Sequence, residues 1–271
     1  MNNDAIGVFD SGIGGLTTVK ELNLLLPNEN IIYLGDTARI PYGTRSKETI
    51  FKYAKQDFAF LEQHKVKMII VACGTVSAIM MSNPQITSSK AFTGVLLPAV
   101  QAACGATRNG KIGVIGTPAT IKSGSYGKAI RAIKPDVNVI GKACPLFVPL
   151  VENGYTSKDN QVARLVAQEY LEVMKKEKVD TLILGCTHYP LLREIISEIM
   201  GNNVTLISPG EEAARYASAI LSEKELLNES DEIGSNQFFV TDSVDLFTEN
   251  CVAYLGNDAK GNVSKCDLEN L

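Results

Sequence analysis

The sequence predicts an α/β fold of two similar three-layer domains, each with helices covering a mainly parallel sheet. Three observations support this prediction. Short apolar segments alternate with helix-like segments from the start of the chain. The segments 6–12 and 112–118 are similar in sequence, and each opens one half of the chain. The segments 68–75 and 181–188 are also similar, and each ends an apolar run with a cysteine. We therefore expect pseudo-twofold related domains that face each other across a cleft holding the candidate active site.

Runs of large aliphatic residues bounded by polar or glycine residues predict buried parallel strands. We expect strands at 5–9, 30–34, 68–72, 111–115, 137–140, 181–184, 204–207 and 237–241. We expect helices at about 15–26, 46–64, near Ser77, at 157–177, from Ser208 onwards and near 243–254. The apolar residues of segment 46–64 cluster on one helix face, at Ile50, Phe51, Ala54, Phe58 and Leu61. Ser208, Pro209 and Glu211 combine a capping box with proline at the first helical position.

The end of the chain is predicted to return to the first domain, because the second half completes its alternation by Ile207. The predicted domains are 1–97 plus 208–271, carrying Cys73, and 98–207, carrying Cys186. The two opening segments are 106 residues apart and the two cysteines are 113 residues apart. A short insertion in the second half would account for the difference.

Composition favours a small-molecule partner over nucleic acid or membrane. The net charge is -4 without a basic block, and no apolar stretch is long enough for a membrane span. The N-terminal Met-Asn-Asn-Asp lacks the pattern of a signal peptide, so a cytoplasmic location is expected and the six cysteines are expected to be reduced. A zinc site is not expected, because no C-x-x-C pair exists and the two histidines, His64 and His188, are far apart.

A glycine-rich loop, Gly12-x-Gly14-x-x-Thr17, follows the first predicted strand, and Asp36 ends the second. The pattern partly imitates a dinucleotide-binding fingerprint, but its final Gly or Ala is missing. Asp10 also adds a polar group to the turn. A small anion bound by the loop amides suits the sequence better than NAD. The loop is too short for a phosphate-binding Walker loop.

Cys73 and Cys186 each follow a predicted strand, at the sheet edge where α/β proteins bind ligands. A single cysteine there is usually a packing residue, but two equivalent ones favour a function. Two thiols on opposite sides of an amino acid could remove the Cα proton from one face and return one to the other. This chemistry needs a thiolate near neutral pH, which a helix N-terminus directly after each cysteine would favour. Cys104, Cys251 and Cys266 lack this setting and are predicted to be packing or surface residues.

Asp10 and His188 are placed to assist the two thiols. His188 lies two residues after Cys186, and Asp10 ends the first predicted strand. Other interpretations stay open: His188 as a structural histidine, Asp10 with Ser11 as a turn and helix cap, and Glu152 as an exposed loop acid.

Together these motifs resemble the glutamate racemases of the cofactor-independent, two-cysteine aspartate/glutamate racemase superfamily. The resemblance covers about residues 6–254 and rests on the segments 8–16, 35–43, 71–73, 144–154 and 184–190. It implies interconversion of L- and D-glutamate without pyridoxal phosphate or another cofactor, supply of D-glutamate for peptidoglycan, and a homodimer.

The resemblance also implies roles for individual residues. Cys73 and Cys186 would be the acid/base pair, supported by Asp10, Glu152 and His188. The substrate would be held by Asp10, Ser11, Pro41, Tyr42, Gly43, Gly74, Thr75, Thr117, Thr120, Thr187 and His188. Asp36 is expected to have a structural role.

The sequence departs from the family pattern at Gly74, where the family normally has asparagine. This change bears on substrate affinity or choice more than on reaction type. A racemase of another acidic amino acid, such as aspartate, is therefore a second hypothesis. A third is a ligand-binding protein without catalysis, which the paired cysteines disfavour because carrying a ligand needs no thiol.

Overall fold

The structure is a computed structural model that describes residues 3–82, 88–255 and 262–269. Its strands are β1 (Ala5–Asp10), β2 (Ile31–Gly35), β3 (Val66–Val71), β4 (Ala91–Gly94), β5 (Lys111–Gly116), β6 (Asn138–Ala143), β7 (Thr181–Gly185), β8 (Thr205–Ile207), β9 (Asn236–Val240) and β10 (Val263–Lys265). Its helices are α1 (Leu16–Leu25), α2 (Lys47–Glu62), α3 (Gly74–Ser82), α4 (Leu96–Ala106), α5 (Pro118–Ser123), α6 (Ser125–Ile133), α7 (Phe147–Glu152), α8 (Gln161–Lys176), α9 (Arg193–Met200), α10 (Pro209–Glu223) and α11 (Val244–Leu255).

Two sheets of parallel strands form the framework, which confirms the predicted fold class. The first sheet has the order β10-β9-β2-β1-β3-β4, and the second has the order β6-β5-β7-β8. Every strand pairing described is parallel. The order β2-β1-β3-β4 therefore recurs in the second sheet as β6-β5-β7-β8.

Strand register reproduces the spacing of the two similar halves. Phe9 pairs with Val71 in the first sheet, and Ile115 pairs with Leu184 in the second. Phe9 and Ile115 are 106 residues apart, and Val71 and Leu184 are 113 residues apart. Each candidate cysteine follows two residues after the second member of its pair, so both occupy equivalent positions.

The C-terminal segment extends the first sheet, since β9 pairs with β2 and β10 pairs with β9. Helix α10 packs between α1 and α4. The domain boundaries 1–97 plus 208–271 and 98–207 stay a prediction. Residues 1–2, 83–87, 256–261 and 270–271 lie outside the described part of the chain.

Buried apolar residues cover both faces of each sheet. In β1, Ile6 and Val8 pack toward α1 and α10, whereas Phe9 packs toward α2. Two further clusters cover the faces of the second sheet. These clusters fix the strands rigidly, so the residues that follow the strand ends have defined positions.

Two local predictions were wrong. Helix α10 begins at Pro209 as expected, but the side chain of Ser208 accepts no capping hydrogen bond. Cys186 is not followed directly by an α-helix, because a 3₁₀ turn, Tyr189–Leu192, comes before α9. Within the described residues, no helix combines the length and apolar character needed to cross a bilayer.

Candidate active site

A cavity of about 300 Å³ lies where the carboxyl ends of the two sheets meet. Residues that follow β1, β2 and β3 line it from one side, and residues that follow β5, β6 and β7 line it from the other. The lining residues are Ser11, Gly12, Ile40, Pro41, Tyr42, Gly43, Thr44, Cys73, Gly74, Thr75, Thr117, Pro118, Pro145, Val148, Pro149, Glu152, Cys186, Thr187 and His188. Both candidate cysteines thus border one cavity, each contributed by a different sheet.

Cys73 is buried on the first side of the cavity. Its Sγ donates a hydrogen bond to Ser11 Oγ at 3.6 Å, and α3 starts at the next residue. Burial, and secondly the negative charge of Asp10, raise the pKa of the Cys73 thiol to about 12. The helix N-terminus is where the sequence predicted it, but the expected stabilisation of a thiolate is outweighed by burial.

Cys186, on the second side, contacts an ionisable pair. Its Sγ lies 3.8 Å from His188 Nδ1, and His188 Nε2 lies 3.1 Å from Glu152 Oε1. Burial lowers the pKa of His188, but the bonds with Cys186 and Glu152 outweigh burial and raise this pKa to about 10. The ring is therefore an imidazolium at neutral pH, with one N–H directed to sulfur and the other to the carboxylate.

Asp10 lies beneath the glycine-rich loop and is not part of the cavity lining. Its Oδ2 accepts hydrogen bonds from the amides of Gly12 at 3.1 Å and Gly15 at 3.0 Å. Its Oδ1 is buried with no hydrogen-bond partner in the structure. Burial raises the pKa of Asp10, and the charge of His188 opposes this.

The expectation that the loop amides hold a small anion is wrong for Gly12 and Gly15, because Asp10 already uses these two donors. The loop instead forms a contact between the two sheets. A Cβ at Gly14 would lie 2.3 Å from Thr187 Oγ1, which explains the glycine at this position. A dinucleotide would also need the amides that Asp10 occupies.

A row of threonine hydroxyls crosses from one side of the cavity to the other. Thr75 Oγ1 lies 3.1 Å from Thr117 Oγ1, which lies 3.0 Å from Thr120 Oγ1. Thr117 also caps α5 by accepting a hydrogen bond from the Thr120 amide. Thr75 and Thr117 line the cavity, whereas Thr120 lies behind Thr117 and does not.

The segment that carries Pro41, Tyr42 and Gly43 into the cavity is held by a buried polar network. The Tyr42 hydroxyl donates a hydrogen bond to Asp36 and lies 3.3 Å from Asp57 Oδ2. Arg39 contacts both carboxylates, at 2.6 Å for Asp36 and 3.5 Å for Asp57. Burial, and secondly Asp36, raise the pKa of Asp57 well above its ordinary value. Asp36 thus has a supporting position behind Tyr42.

At Gly74 the two cysteine loops lie close together. A Cβ at this position would lie 2.7 Å from the carbonyl oxygen of Gly185, the residue before Cys186. That contact is with backbone, so a side chain at position 74 requires one loop to move. In this chain the amide of Gly74 borders the cavity without any side chain.

Comparison with known proteins shows the family of this chain. Residues 14–217 match the Asp/Glu/Hydantoin racemase family. The chain belongs to this family. It is 49% identical over 238 residues to the glutamate racemase of Geobacter metallireducens, with 88% of this chain and 87% of the relative covered. It is 46% identical to the glutamate racemase of Chlorobaculum tepidum, with 95% and 94% covered.

Solved structures of racemases superpose on nearly the whole chain. The glutamate racemase isoform RacE1 of Bacillus anthracis has a TM-score of 0.93 and 39% identity, with 99% of both chains covered. The glutamate racemase of Francisella tularensis, solved in complex with D-glutamate, has a TM-score of 0.91 and 40% identity, with 100% of both chains covered.

In this racemase-family chain the cavity also includes residues that the sequence did not single out. They are Ile40, Thr44, Pro118, Pro145, Val148 and Pro149. Five of these six are apolar wall residues without chemistry of their own, so only their place next to the matched motifs could have indicated them. Thr44 directly follows the matched segment 35–43. Arg39 and Asp57 were also missed. Asp57 lies beside the apolar face of α2, and a buried acid there was a signal for a partner such as Arg39.

Proposed function

We propose that this chain is a glutamate racemase that interconverts L- and D-glutamate through Cys73 and Cys186. The observation that carries the proposal is that both thiols line one cavity from equivalent positions of two sheets. Names of relatives up to 49% identical and the D-glutamate complex of the Francisella relative support glutamate as the substrate.

The cavity has the size and polarity for an amino acid. Ligand pockets range from about 300 to 1,000 Å³, so a cavity of about 300 Å³ is at the small limit. Among the residues that the structure describes, no Lys or Arg lines it. The substrate carboxylates would therefore be held by hydroxyls, including those of Ser11, Thr75, Thr117 and Thr187, and by backbone amides such as that of Gly74.

Each turnover moves one proton off Cα and one proton onto it. One cysteine, as the thiolate, takes the Cα proton, and the electron pair stays on the carbanion. The opposite cysteine, as the thiol, then donates its proton to the other face of the same carbon. The two sulfurs exchange protonation states, and the reverse reaction or exchange with water restores them.

The two sulfurs have different surroundings. Cys73, with a pKa of about 12, rests as the thiol. Cys186 faces the imidazolium of His188, which Glu152 holds in place. The charges of Asp10 and His188 interact, so Asp10 stabilises the positive charge of His188. Carbanion formation also needs this electrostatic stabilisation, because the Cα hydrogen is weakly acidic.

A racemase of another acidic amino acid, such as aspartate, is the second candidate. Gly74 favours it, because the asparagine side chain typical of the family is missing from the cavity. A ligand-binding protein without catalysis is the weaker alternative, since binding alone does not call for a thiol on each side.

The deciding experiment is incubation with L-glutamate in deuterated water without pyridoxal phosphate. We expect D-glutamate carrying one deuterium at Cα, measured by chiral chromatography and mass spectrometry. L-Aspartate, assayed in parallel, tests the second candidate.

Cys73→Ala and Cys186→Ala should each lose interconversion in both directions. Cys266→Ala is the control, because Cys266 is half-buried and does not line the cavity. Full activity of either Cys73→Ala or Cys186→Ala would refute the two-thiol mechanism.

Under this proposal the enzyme supplies D-glutamate for peptidoglycan in the cytoplasm, acts as a homodimer and uses no cofactor. These expectations come from the family resemblance. Light scattering on the purified protein tests the dimer.

A further inference from the structure

A second cavity, of about 450 Å³, adjoins the cysteine cavity. The two share Gly43, Thr44 and Pro118 as wall residues, so the two cavities are adjacent. We call the second cavity the vestibule. Its lining is Gly43, Thr44, Arg45, Ser46, Lys47, Ile79, Pro118, Ala119, Lys122 and Ser123.

The vestibule is cationic. Arg45, Lys47 and Lys122 line it, and none of the described residues in its lining is acidic. All three are exposed, and none forms an ion pair in the part of the chain that the structure covers. The nearest acid in sequence is Glu48, an exposed residue of the first turn of α2 that is not in the lining.

The three cations come from both sides of the cleft. Arg45 and Lys47 flank Ser46, which caps the N-terminus of α2. Lys122 lies in the last turn of α5, the helix that Thr117 caps at the wall of the cysteine cavity. A ligand in the vestibule therefore meets positive charge from both sides. Arg45 directly follows Thr44, and Lys122 shares α5 with Pro118, and both Thr44 and Pro118 line the cysteine cavity.

The rest of the protein would repel an anionic substrate. Its formal net charge is -4, and the described residues that line the cysteine cavity include Glu152 but no Lys or Arg. Glutamate at neutral pH carries two carboxylates and one ammonium, and so a single net negative charge. A local cationic patch next to the cysteine cavity offsets this repulsion and raises the local concentration of anions.

We propose that the vestibule is an anion-binding antechamber in which Arg45, Lys47 and Lys122 bind a carboxylate of the incoming amino acid before it enters the cysteine cavity. This inference rests on the proposed function and deepens it. The three cations would take part in capture of the substrate and not in proton transfer. Removing them should therefore raise KM and leave kcat unchanged. Their charge also makes KM sensitive to salt, because exposed charges are screened over a Debye length of about 10 Å at 0.1 M.

The test variant carries Arg45→Gln, Lys47→Gln and Lys122→Gln. KM and kcat for L-glutamate are measured from about 0.02 M to about 0.5 M ionic strength. We expect KM at low ionic strength to rise about tenfold with kcat unchanged, and the difference from wild type to shrink as salt increases. The charge-conserving variant with Arg45→Lys, Lys47→Arg and Lys122→Arg should restore KM.

A matched control removes three other cations, with Lys134→Gln, Lys175→Gln and Lys224→Gln. These residues are exposed and line neither cavity. Both triple variants change the formal net charge from -4 to -7. The control should keep the wild-type KM and salt dependence, so any difference between the triples reports the position of the charge.

The inference is overturned if the two triples have the same KM and salt dependence, or if the vestibule triple lowers kcat with KM unchanged. It is also overturned if the charge-conserving variant fails to restore KM. Failure of the proposed function is a different result, because the wild type would then form no deuterated D-glutamate at any ionic strength.

Discussion

Replacing Glu152 by glutamine tests the ion pair behind Cys186. Glu152 Oε1 accepts a hydrogen bond from His188 Nε2 at 3.1 Å, and this bond is one cause of the raised His188 pKa. Glutamine keeps the shape and an acceptor oxygen but removes the charge. The His188 pKa should therefore fall in the Glu152→Gln variant.

The expected decrease in the His188 pKa depends on how exposed the Glu152 carboxylate is. Hydrogen bonds to charged groups contribute about 1.5–3 kcal/mol. The Glu152 side chain is 34% exposed, so solvent screening places this bond at or just below the low end. A value of about 1.4 kcal/mol corresponds to about one pKa unit. We expect the pKa of His188, which is about 10 in the wild type, to be about one unit lower in Glu152→Gln.

Titration by NMR can measure this directly, because the chain has only two histidines. His64 is the internal reference, and Glu223→Gln, at an exposed acid of α10 outside the cavity lining, is the matched control. The same midpoint in wild type and Glu152→Gln would refute the reasoning. So would a wild-type His188 midpoint near its ordinary value of 6.5.

The raised pKa also predicts a pH dependence of stability. The pKa of His188 is higher in the folded protein than its ordinary value of 6.5, so protonation stabilises the fold below pH 6.5 and this contribution disappears as pH rises toward about 10. Wild type should exceed Glu152→Gln in free energy of unfolding by about 1.4 kcal/mol near pH 6.5, with no difference above about pH 10. Urea unfolding at a series of pH values measures this.

Two further predictions concern the contact between the cysteine loops and the threonine row. Gly74→Ala places a Cβ 2.7 Å from the Gly185 carbonyl oxygen, so kcat should fall by about 100-fold as the loops separate. The control Gly105→Ala, in the exposed part of α4 with open space around it, should keep kcat and gain about 0.5–1 kcal/mol of stability. Thr117→Val removes the α5 cap and the bond to Thr75, so thermal unfolding should show a loss of about 1 kcal/mol, and KM should rise. A wild-type KM in that variant would contradict a binding role for the hydroxyl.

Most strands of the two sheets could be predicted from the sequence, because an apolar run and the polar or glycine residues that end it are local features. Each of the eight expected strands overlaps a strand of the structure, and most ends differ by one or two residues. The short edge strands β4 and β10 were not expected. β4 has the sequence Ala-Phe-Thr-Gly, and only its pairing with β3 identifies it as a strand. Edge strands depend on a neighbour more than on their own apolar pattern.

The candidate site could be assembled from strand ends, but its electrostatics could not. Parallel strands bring their carboxyl ends to one edge, so the positions of Cys73 and Cys186 follow from topology. The pKa of Cys73 depends on how completely packing removes it from water and on the charge of Asp10. Neither quantity has a signal in the sequence. The bond from the Gly12 amide to Asp10 is local, since it spans two residues, and it agrees with the interpretation of Asp10 as a turn residue.

The similarity of the two halves makes their differences informative. The residue equivalent to Asp10 in β5 is Gly116, and the residue equivalent to His188 after β3 is Thr75. A Cβ at Gly116 would already lie 3.0 Å from Thr120, so a carboxylate does not fit there without movement.

The two sulfurs therefore occupy equivalent positions with opposite charges beside them. Burial, and secondly the carboxylate of Asp10, raise the pKa of the Cys73 thiol, whereas an imidazolium lies near Cys186. The repeated strand order places the two cysteines equivalently, and divergence at these two neighbouring positions gives them unequal surroundings. Under the proposed function, this difference distinguishes the side of the cavity that Cys73 occupies from the side that Cys186 occupies.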